Sequence, residues 1–389
     1  MARIVKRAYK YRFYPTPAQA DMLSRTFGCV RLVYNKALEL RSRSYVLDGR
    51  GVSYGESSAA LTAWKQTEEL AFLNEVSSVP LQQALRHLQH AFSNFFARRA
   101  GYPAFKSLKK SRASAEFTRS AFAYTSGVLK LAKMDAPLDV RWSRPLPENA
   151  RPSTVTVSRD SAGRWFVSLL IEEVVIPLAP VTASVGVDVG LSALATVSTG
   201  EKIVNPRAER LDRRRLARAQ RNLARKVRGS ANRAKAQRRV ARLYARMADR
   251  RLDHLHKITT RLVRENQVMA VEDLSVRNLV KRRSLARAVS DAAWRGLRSM
   301  LEYKAAWYGR ELVVIDRWFP SSKLCSACGL VRGDLPLGVR SWTCACGAVH
   351  DRDVNAAKNI LAAGLADRRN ACGADGRPQG EFSPAGGRR

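Results

Sequence analysis

The sequence predicts a multidomain α/β protein, and three changes of texture along its 389 residues carry that prediction. Residues 16–100 repeat apolar side chains at helical spacing. Residues 101–180 read as short strands, and from 181 onward strands and long helices succeed one another. The chain carries 69 Lys and Arg against 33 Asp and Glu, a net charge of +36. Self-repulsion at that density disfavours compactness unless a polyanion screens it, so nucleic acid or an anionic membrane surface is the expected partner class. Fifty-two of the 69 are Arg, whose planar fork matches phosphate in bidentate fashion. No run reaches the roughly 20 apolar residues of a membrane span. The N-terminus leads into Tyr11-Arg12-Phe13 without the apolar core of a secretory signal. Membrane, secreted and collagenous classes are therefore excluded, and a cytoplasmic location is expected.

Val5 to Pro15 alternate charged and apolar side chains, as a half-exposed strand does. Thr16-Pro17-Ala18-Gln19 supplies an N-cap, Pro at N1 and Gln at N3, which predicts a helix start. Leu23, Phe27, Val30, Tyr34 and Leu38 continue that helix, with Gly28 as a possible break. Pro80 to Arg99 predicts a second helix whose apolar face holds Leu81, Leu85, Leu88, Phe92, Phe95 and Phe96. Residues 16–100 thus read as a helical domain inserted after one strand.

Ser153–Ser158 and Arg164–Ile171 flank Asp160-Ser-Ala-Gly163, a hairpin signal. With Phe117 to Trp142 and the N-terminal strand, residues 1–15 and 101–180 are expected to form a small β-barrel or sheet. Ser184–Gly190, Ala193–Ser198 and Lys202–Val204 predict consecutive antiparallel strands. Residues 207–251 hold 18 Lys and Arg against three acids and read as a basic helical hairpin broken at Gly229-Ser230. Strand 267–272, helix 290–309 and strand 311–316 follow. The last stretch, 371–389, has the composition of a flexible tail.

Cys325-Ser-Ala-Cys328-Gly329 and Cys344-Ala-Cys346-Gly347 are spaced for tetrahedral zinc held by four sulfurs. A Gly after each pair permits the tight turn that wraps sulfur. Such a closed site is structural. His350 is a possible substitute ligand, or part of the motif that follows. Cys29 and Cys372 read as ordinary free thiols.

Three carboxylates sit where an apolar or basic context should not want one: Asp188 within Val185-Gly-Val-Asp-Val-Gly190, Glu272 ending strand 268–272, and Asp353 in the first turn of an amphipathic helix. Each alone has an ordinary account as a solvated or helix-dipole acid. Together, in so cationic a protein, they suit two Mg²⁺ ions that serve phosphodiester hydrolysis.

The strings Asp188-Val-Gly190, Val271-Glu272-Asp273-Leu274, the two cysteine pairs, and His350-Asp-Arg-Asp-Val-Asn-Ala-Ala-Lys-Asn-Ile360 resemble the transposon-encoded TnpB family, compact relatives of the type V CRISPR effectors. Tyr11-Arg-Phe-Tyr-Pro15, Phe27-Gly28, Val33-Tyr-Asn35, Trp307-Tyr-Gly309 and Trp318-Phe-Pro-Ser-Ser-Lys323 share in the resemblance, which runs through residues 1 to about 365. It implies an RNase H-like (RuvC) nuclease domain over 181–320 and 348–370, with a zinc ribbon inserted at 321–347. It further implies a β-barrel wedge domain (1–15 and 101–180) and a helical recognition domain (16–100). Carried over by position, Asp188, Glu272 and Asp353 are the catalytic, magnesium-binding carboxylates, with Asp351 the neighbouring competitor for the third place.

The resemblance also implies the partners. These are a guide RNA from the transposon end and double-stranded target DNA, with one chain per RNA, acting at the prokaryotic nucleoid beside a short transposon-adjacent motif. Ser78 and Gln82 are candidates to face the motif duplex. Arg213, Arg214, Arg215 and Arg221 are candidates to line the RNA–DNA heteroduplex. Two other readings stay open on sequence alone: a nuclease-inactive RNA-guided DNA-binding regulator, and a zinc-ribbon DNA-binding accessory of transposition.

Overall fold

The computed structural model describes residues 3–374 other than Lys110 and Leu337, without the side chains of 369–374. The side chain of Cys372 and residues 375–389 of the expected tail lie outside what is described, whereas the backbone of residues 371–374 continues a helix. The chain forms two compact units, one of Ile4–Val174 and one that begins at Val175 and includes Arg3.

The first unit contains β1 (Arg3–Phe13), α1 (Pro17–Asp48), α2 (Tyr54–Trp64), α3 (Ser78–Phe96), β2 (Ala113–Thr118), β3 (Phe122–Thr125), β4 (Val128–Leu131), β5 (Val140–Arg141), β6 (Thr154–Arg159) and β7 (Trp165–Val175). Thr16 caps α1: its Oγ1 accepts the Gln19 N–H at 3.2 Å while Gln19 Oε1 accepts the Thr16 N–H at 3.1 Å. The helix runs through Gly28 without a break, because Phe27, Cys29 and Val30 around it are buried and hold the backbone in register. Phe96, expected on the apolar face of α3, is instead 75% exposed at the helix end.

The main sheet of this unit has strand order β2-β6-β7-β1-β5, and β3 pairs with β4 separately. The expected barrel does not close. Closure requires full-length strands of matched tilt and stagger, whereas β5 has two residues and α1 and α3 pack against the opposite edge strand, β2. The helices and the sheet share one core, built from Tyr11 and Phe13 of β1, Leu23 and Val33 of α1, Leu81 and Leu85 of α3, and Val155 and Val167 of β6 and β7.

The second unit contains β8 (Ser184–Val189), β9 (Ala193–Val197), β10 (Lys202–Val204), α4 (Ala208–Ala224), α5 (Ala231–Glu265), β11 (Val268–Glu272), α6 (Val276–Leu279), α7 (Arg283–Ala292), α8 (Trp294–Tyr308), β12 (Glu311–Ile315), β13 (Ser341–Thr343), β14 (Val349–Asp351) and α9 (Arg352–Ala374). Its sheet runs β10-β9-β8-β11-β12. β8, β9 and β10 form an antiparallel meander, and β11 lies between β8 and β12, parallel to both.

Strand alternation sends odd and even residues of β8 and β11 to opposite faces. Val185, Val187, Met269 and Val271 pack with Leu255 and Leu262 of α5 and Leu297 and Leu301 of α8. Ala270 packs with Ile360 of α9 on the other face. Among the described residues no helix is long and apolar enough to cross a membrane.

Candidate active site

The parity of the sheet builds the site. Gly186 lies on the α9 face, so Asp188, two residues on, does too. Glu272 follows Ala270 in the same way. β8 and β11 are parallel with Gly186 opposite Ala270 and Val187 opposite Val271, which sets Asp188 beside Glu272 at the carboxyl ends of adjacent strands. A Cβ on Gly186 would stand 2.0 Å from the Ala357 carbonyl oxygen, and one on Gly364 would stand 2.7 Å from the Ala270 Cβ. Glycine at these two places lets α9 lie directly on the sheet, and its first turn brings Asp353 to the same end.

Asp353 and Glu272 both act on the ionisation of Asp188. Burial pushes the Asp188 carboxyl up to about 7, with Asp353 and then Glu272 adding repulsion and Arg352 opposing it. Burial, followed by Asp273, raises Glu272 to about 7 as well. Two adjacent acids held near neutrality want a cation.

Asp351 and Asp353 are separated by their bonding. Asp351 Oδ1 accepts the N–H groups of Asp353 and Val354, both at 3.1 Å, and its Oδ2 pairs with Lys202 Nζ at 2.6 Å. Burial works against ionisation there, but the Lys202 bond and the backbone N–H groups of Val354 and Asp353 win and hold its pKa below the usual value. Asp351 is thus the cap of α9. Asp353 contacts Arg340 at 3.5 Å and repels the Asp188 carboxylate. Asp273, beside Glu272, is occupied by Arg298 and Arg317.

The four cysteines converge. Cys325 and Cys346 sulfurs lie 3.8 Å apart, those of Cys328 and Cys344 3.7 Å apart, and all four fall within 4.8 Å of one another. A zinc ion about 2.3 Å from each sulfur makes a tetrahedron with edges of about 3.8 Å, so the sulfurs are already spaced for one. Gly329 and Gly347 take φ of +78° and +86° after each pair, the left-handed turn that glycine accepts without strain. His350 is buried, its Nε2 3.0 Å from Cys325 Sγ and its ring 4.7 Å from that of Trp342. It contacts a sulfur of the group instead of replacing one.

Two residues that carry no role in the sequence reading fasten this centre to α9. Asn355 accepts the Ser326 N–H at 3.0 Å and donates to Leu324 O at 2.7 Å, and Asn359 donates to Ser321 O and Leu324 O. Their i, i+4 spacing on one helix face is a signal the sequence holds.

The basic hairpin concentrates its charge in a groove of about 930 Å³ between α4 and α5, whose lining includes Arg215, Arg218, Lys235, Arg239, Arg242 and Arg246 and no acid. Of the four arginines singled out from sequence, only Arg215 lines it. Arg213 is paired with Glu209 at 2.7 Å, and Arg214 and Arg221 are exposed elsewhere on α4. The spacing 235, 239, 242, 246 marks one helical face and is readable in the sequence. In the first unit, Ser78 and Gln82 are exposed on α3, while Gln83 and His87 of that helix line a small polar hollow with Arg31 and Arg112.

Comparison with known proteins matches three stretches of the chain to family models. Residues 166–283 match a family model described as "Probable transposase", residues 294–360 one described as "Cas12f1-like, TNB domain", and residues 1–50 one described as "Helix-turn-helix domain". That last stretch folds here as β1 and the single helix α1. A solved Cas12f1–sgRNA–target DNA complex aligns with a TM-score of 0.56 at 13% identity, covering 92% of this chain and 99% of that one. The fold is therefore that of a compact Cas12f-like effector.

A Streptomyces pristinaespiralis protein described as "Putative RNA-guided DNA endonuclease" is 70% identical over 386 residues, 99% of this chain and 96% of the relative. The InsQ protein of Escherichia coli K12, of the same description, is 33% identical over 385 residues, 92% of each chain. The chain belongs to the TnpB family.

Proposed function

We propose that the chain is an RNA-guided DNA endonuclease of the RuvC type, which hydrolyses target DNA beside a short transposon-adjacent motif and depends on Mg²⁺. One observation carries this reading: in a protein of charge +36, Asp188 is buried at one end of a sheet, its carboxyl pushed up to about 7 by burial and then by repulsion from Asp353 and Glu272. The relatives 70% and 33% identical, both described as putative RNA-guided DNA endonucleases, support the activity. A meander of three antiparallel strands, continued by two parallel ones and crossed by α9, is the sheet this reading requires.

The donor set suits the metal, because carboxylate oxygens are the hard ligands Mg²⁺ takes. Two Mg²⁺ ions held there would activate a water and stabilise the leaving oxygen of an in-line displacement at phosphorus. The chain's own part is placement. Asp188 and Glu272 are fixed by parallel strand pairing, and Asp353 by the Asp351 cap and the glycine contacts under α9. Cys325, Cys328, Cys344 and Cys346 would hold one Zn²⁺, with every position filled and therefore a structural role. The α4–α5 groove would receive the phosphates of a guide–target heteroduplex, whose sequence is read by base pairing. Ser78 and Gln82 would face the motif duplex.

The test is plasmid cleavage by the protein with its cognate RNA and Mg²⁺, comparing wild type with Asp188→Ala. Cutting by wild type alone is expected. Equal cutting by both ends the claim for this site, and no cutting by either supports a nuclease-inactive regulator.

A further inference from the structure

On the α8 side of the sheet, the face opposite the one that carries Asp188 and Asp353, lies a cleft of about 440 Å³. That volume falls within the roughly 300–1,000 Å³ range of sites that enclose a small molecule. Glu272 belongs to its lining, so the cleft opens next to the proposed cutting site. Its walls are apolar, with Val189, Val276 and Leu297 among them. Four guanidinium groups also line it: Arg277, Arg295, Arg298 and Arg317. Arg298 and Arg317 are balanced by Asp273 and by Glu302, which also lines the cleft and pairs with Arg298. Arg277 and Arg295 are exposed and have no acidic partner among the described residues. Trp294 is buried in the same lining, and its ring adds to the apolar wall.

An apolar slot with two free cations at its rim describes one kind of occupant: a flat, weakly polar ring that is joined to an anion. We infer that the cleft seats one unstacked nucleobase of the DNA strand being cut, its phosphate at Arg277 and Arg295. The inference rests on the endonuclease reading and deepens it. A base in a duplex is stacked and paired on both sides and cannot enter such a slot, so the site admits a strand only after it has been separated from its partner. Seating a base next to Glu272 also fixes the neighbouring phosphodiester relative to the carboxylates, which is a positioning role.

The experiment uses the complete protein with its guide RNA, and target duplexes in which a single abasic residue is walked through the cut region of each strand. One or two adjacent positions should slow cutting roughly tenfold, as loss of a single base's stacking and apolar contacts does. Positions farther away should cut normally. Ser299→Phe, which places a ring in the cleft from an exposed position of α8, should slow cutting of intact DNA by a similar factor. It should also abolish the abasic position effect and leave RNA-guided target binding unchanged. A flat abasic profile with efficient cutting overturns the base seat and leaves the endonuclease reading standing, as does full activity of Ser299→Phe. If intact target is not cut at all, and Asp188→Ala behaves like wild type, both fall together.

Discussion

Gly186 of β8 and Ala357 of α9 touch backbone to backbone: a Cβ on Gly186 would lie 2.0 Å from the Ala357 carbonyl oxygen and 2.7 Å from the Leu361 amide nitrogen. Neither atom is the end of a flexible side chain, so nothing can yield cheaply. Gly186→Ala should therefore push α9 off the sheet, cost at least about 3 kcal/mol, the upper end for overpacked cores, and carry Asp353 away from Asp188. Gly28→Ala is the control, because a Cβ there meets nothing within 4 Å. In mid-helix it should add roughly 0.5–1 kcal/mol. Denaturant unfolding of the two variants checks both signs.

Asp188 and Glu272 give the metal-free protein a definite pH dependence. Both carboxyls sit at about 7 in the fold, above the roughly 4 of an unfolded chain. The folded state then holds the extra protons between about pH 4 and 7, so this contribution to stability falls as pH rises through that window and levels off above it. Asp188→Asn removes much of the effect. With chelator present, it should melt higher than wild type near pH 8 and level with it near pH 4. Added Mg²⁺ should raise the wild-type melting temperature and leave the variant's nearly unmoved. A variant that melts below wild type at the alkaline end would contradict the clustered-carboxylate account.

Asp351 and Asp353, two residues apart, should fail in different ways. Asp351 caps α9 and pairs with Lys202, so Asp351→Ala should cost about 1 kcal/mol of stability, as loss of an N-cap does, and keep cutting. Asp353→Asn should melt near wild type and lose cutting. Paired measurements of melting temperature and plasmid cleavage separate the two, and the opposite pattern would move the third catalytic carboxylate to Asp351.

What could be read in advance was local. The capping box at Thr16 and Gln19, the break at Gly229-Ser230 and the cysteine spacing are written within a few residues, and each stands in the structure. Asp188 and Glu272 were visible as acids in apolar strands, although their register was not, since parallel pairing of β8 with β11 joins residues more than 80 apart in the chain. The open edge of the first sheet was also hidden. It depends on the shortness of β5 and on the helices packed against β2, and neither leaves a mark in the alternation of residues 101–180. The cationic groove lay between these cases. Its stripe at 235, 239, 242 and 246 is present at helical spacing, whereas the denser run of arginines around Arg213 lies mostly outside the groove.

That groove makes a quantitative prediction for RNA binding. Removing one cation that neutralises a phosphate reduces the slope of log affinity against log salt by about 1. Arg239→Gln with Arg242→Gln removes two groove cations and should flatten the slope by about 2, the same margin for unrelated RNA sequences. Arg214→Gln with Arg221→Gln, both outside the groove lining, should change it little. Titration of guide RNA at several salt concentrations decides between the groove and the outer face of α4.

The zinc centre should matter to cutting although it holds no reacting atom. Cys344→Ser breaks the four-sulfur group, and the loop it closes is what Asn355 and Asn359 grip through Ser321, Leu324 and Ser326. Arg340, which touches Asp353, lies in the same segment, and Arg352 reaches back to the carbonyl of Pro336 there at 2.8 Å. Loss of zinc should thus release the N-terminal turn of α9 while Asp188 and Glu272 stay in their sheet. Metal analysis should fall from one zinc per chain to none. Trypsin should gain access to Lys323, Arg332 and Arg340, and DNA cutting should fall steeply even in excess Mg²⁺. A zinc-free variant that cuts at the wild-type rate would show that α9 holds Asp353 in place through the glycine contacts alone.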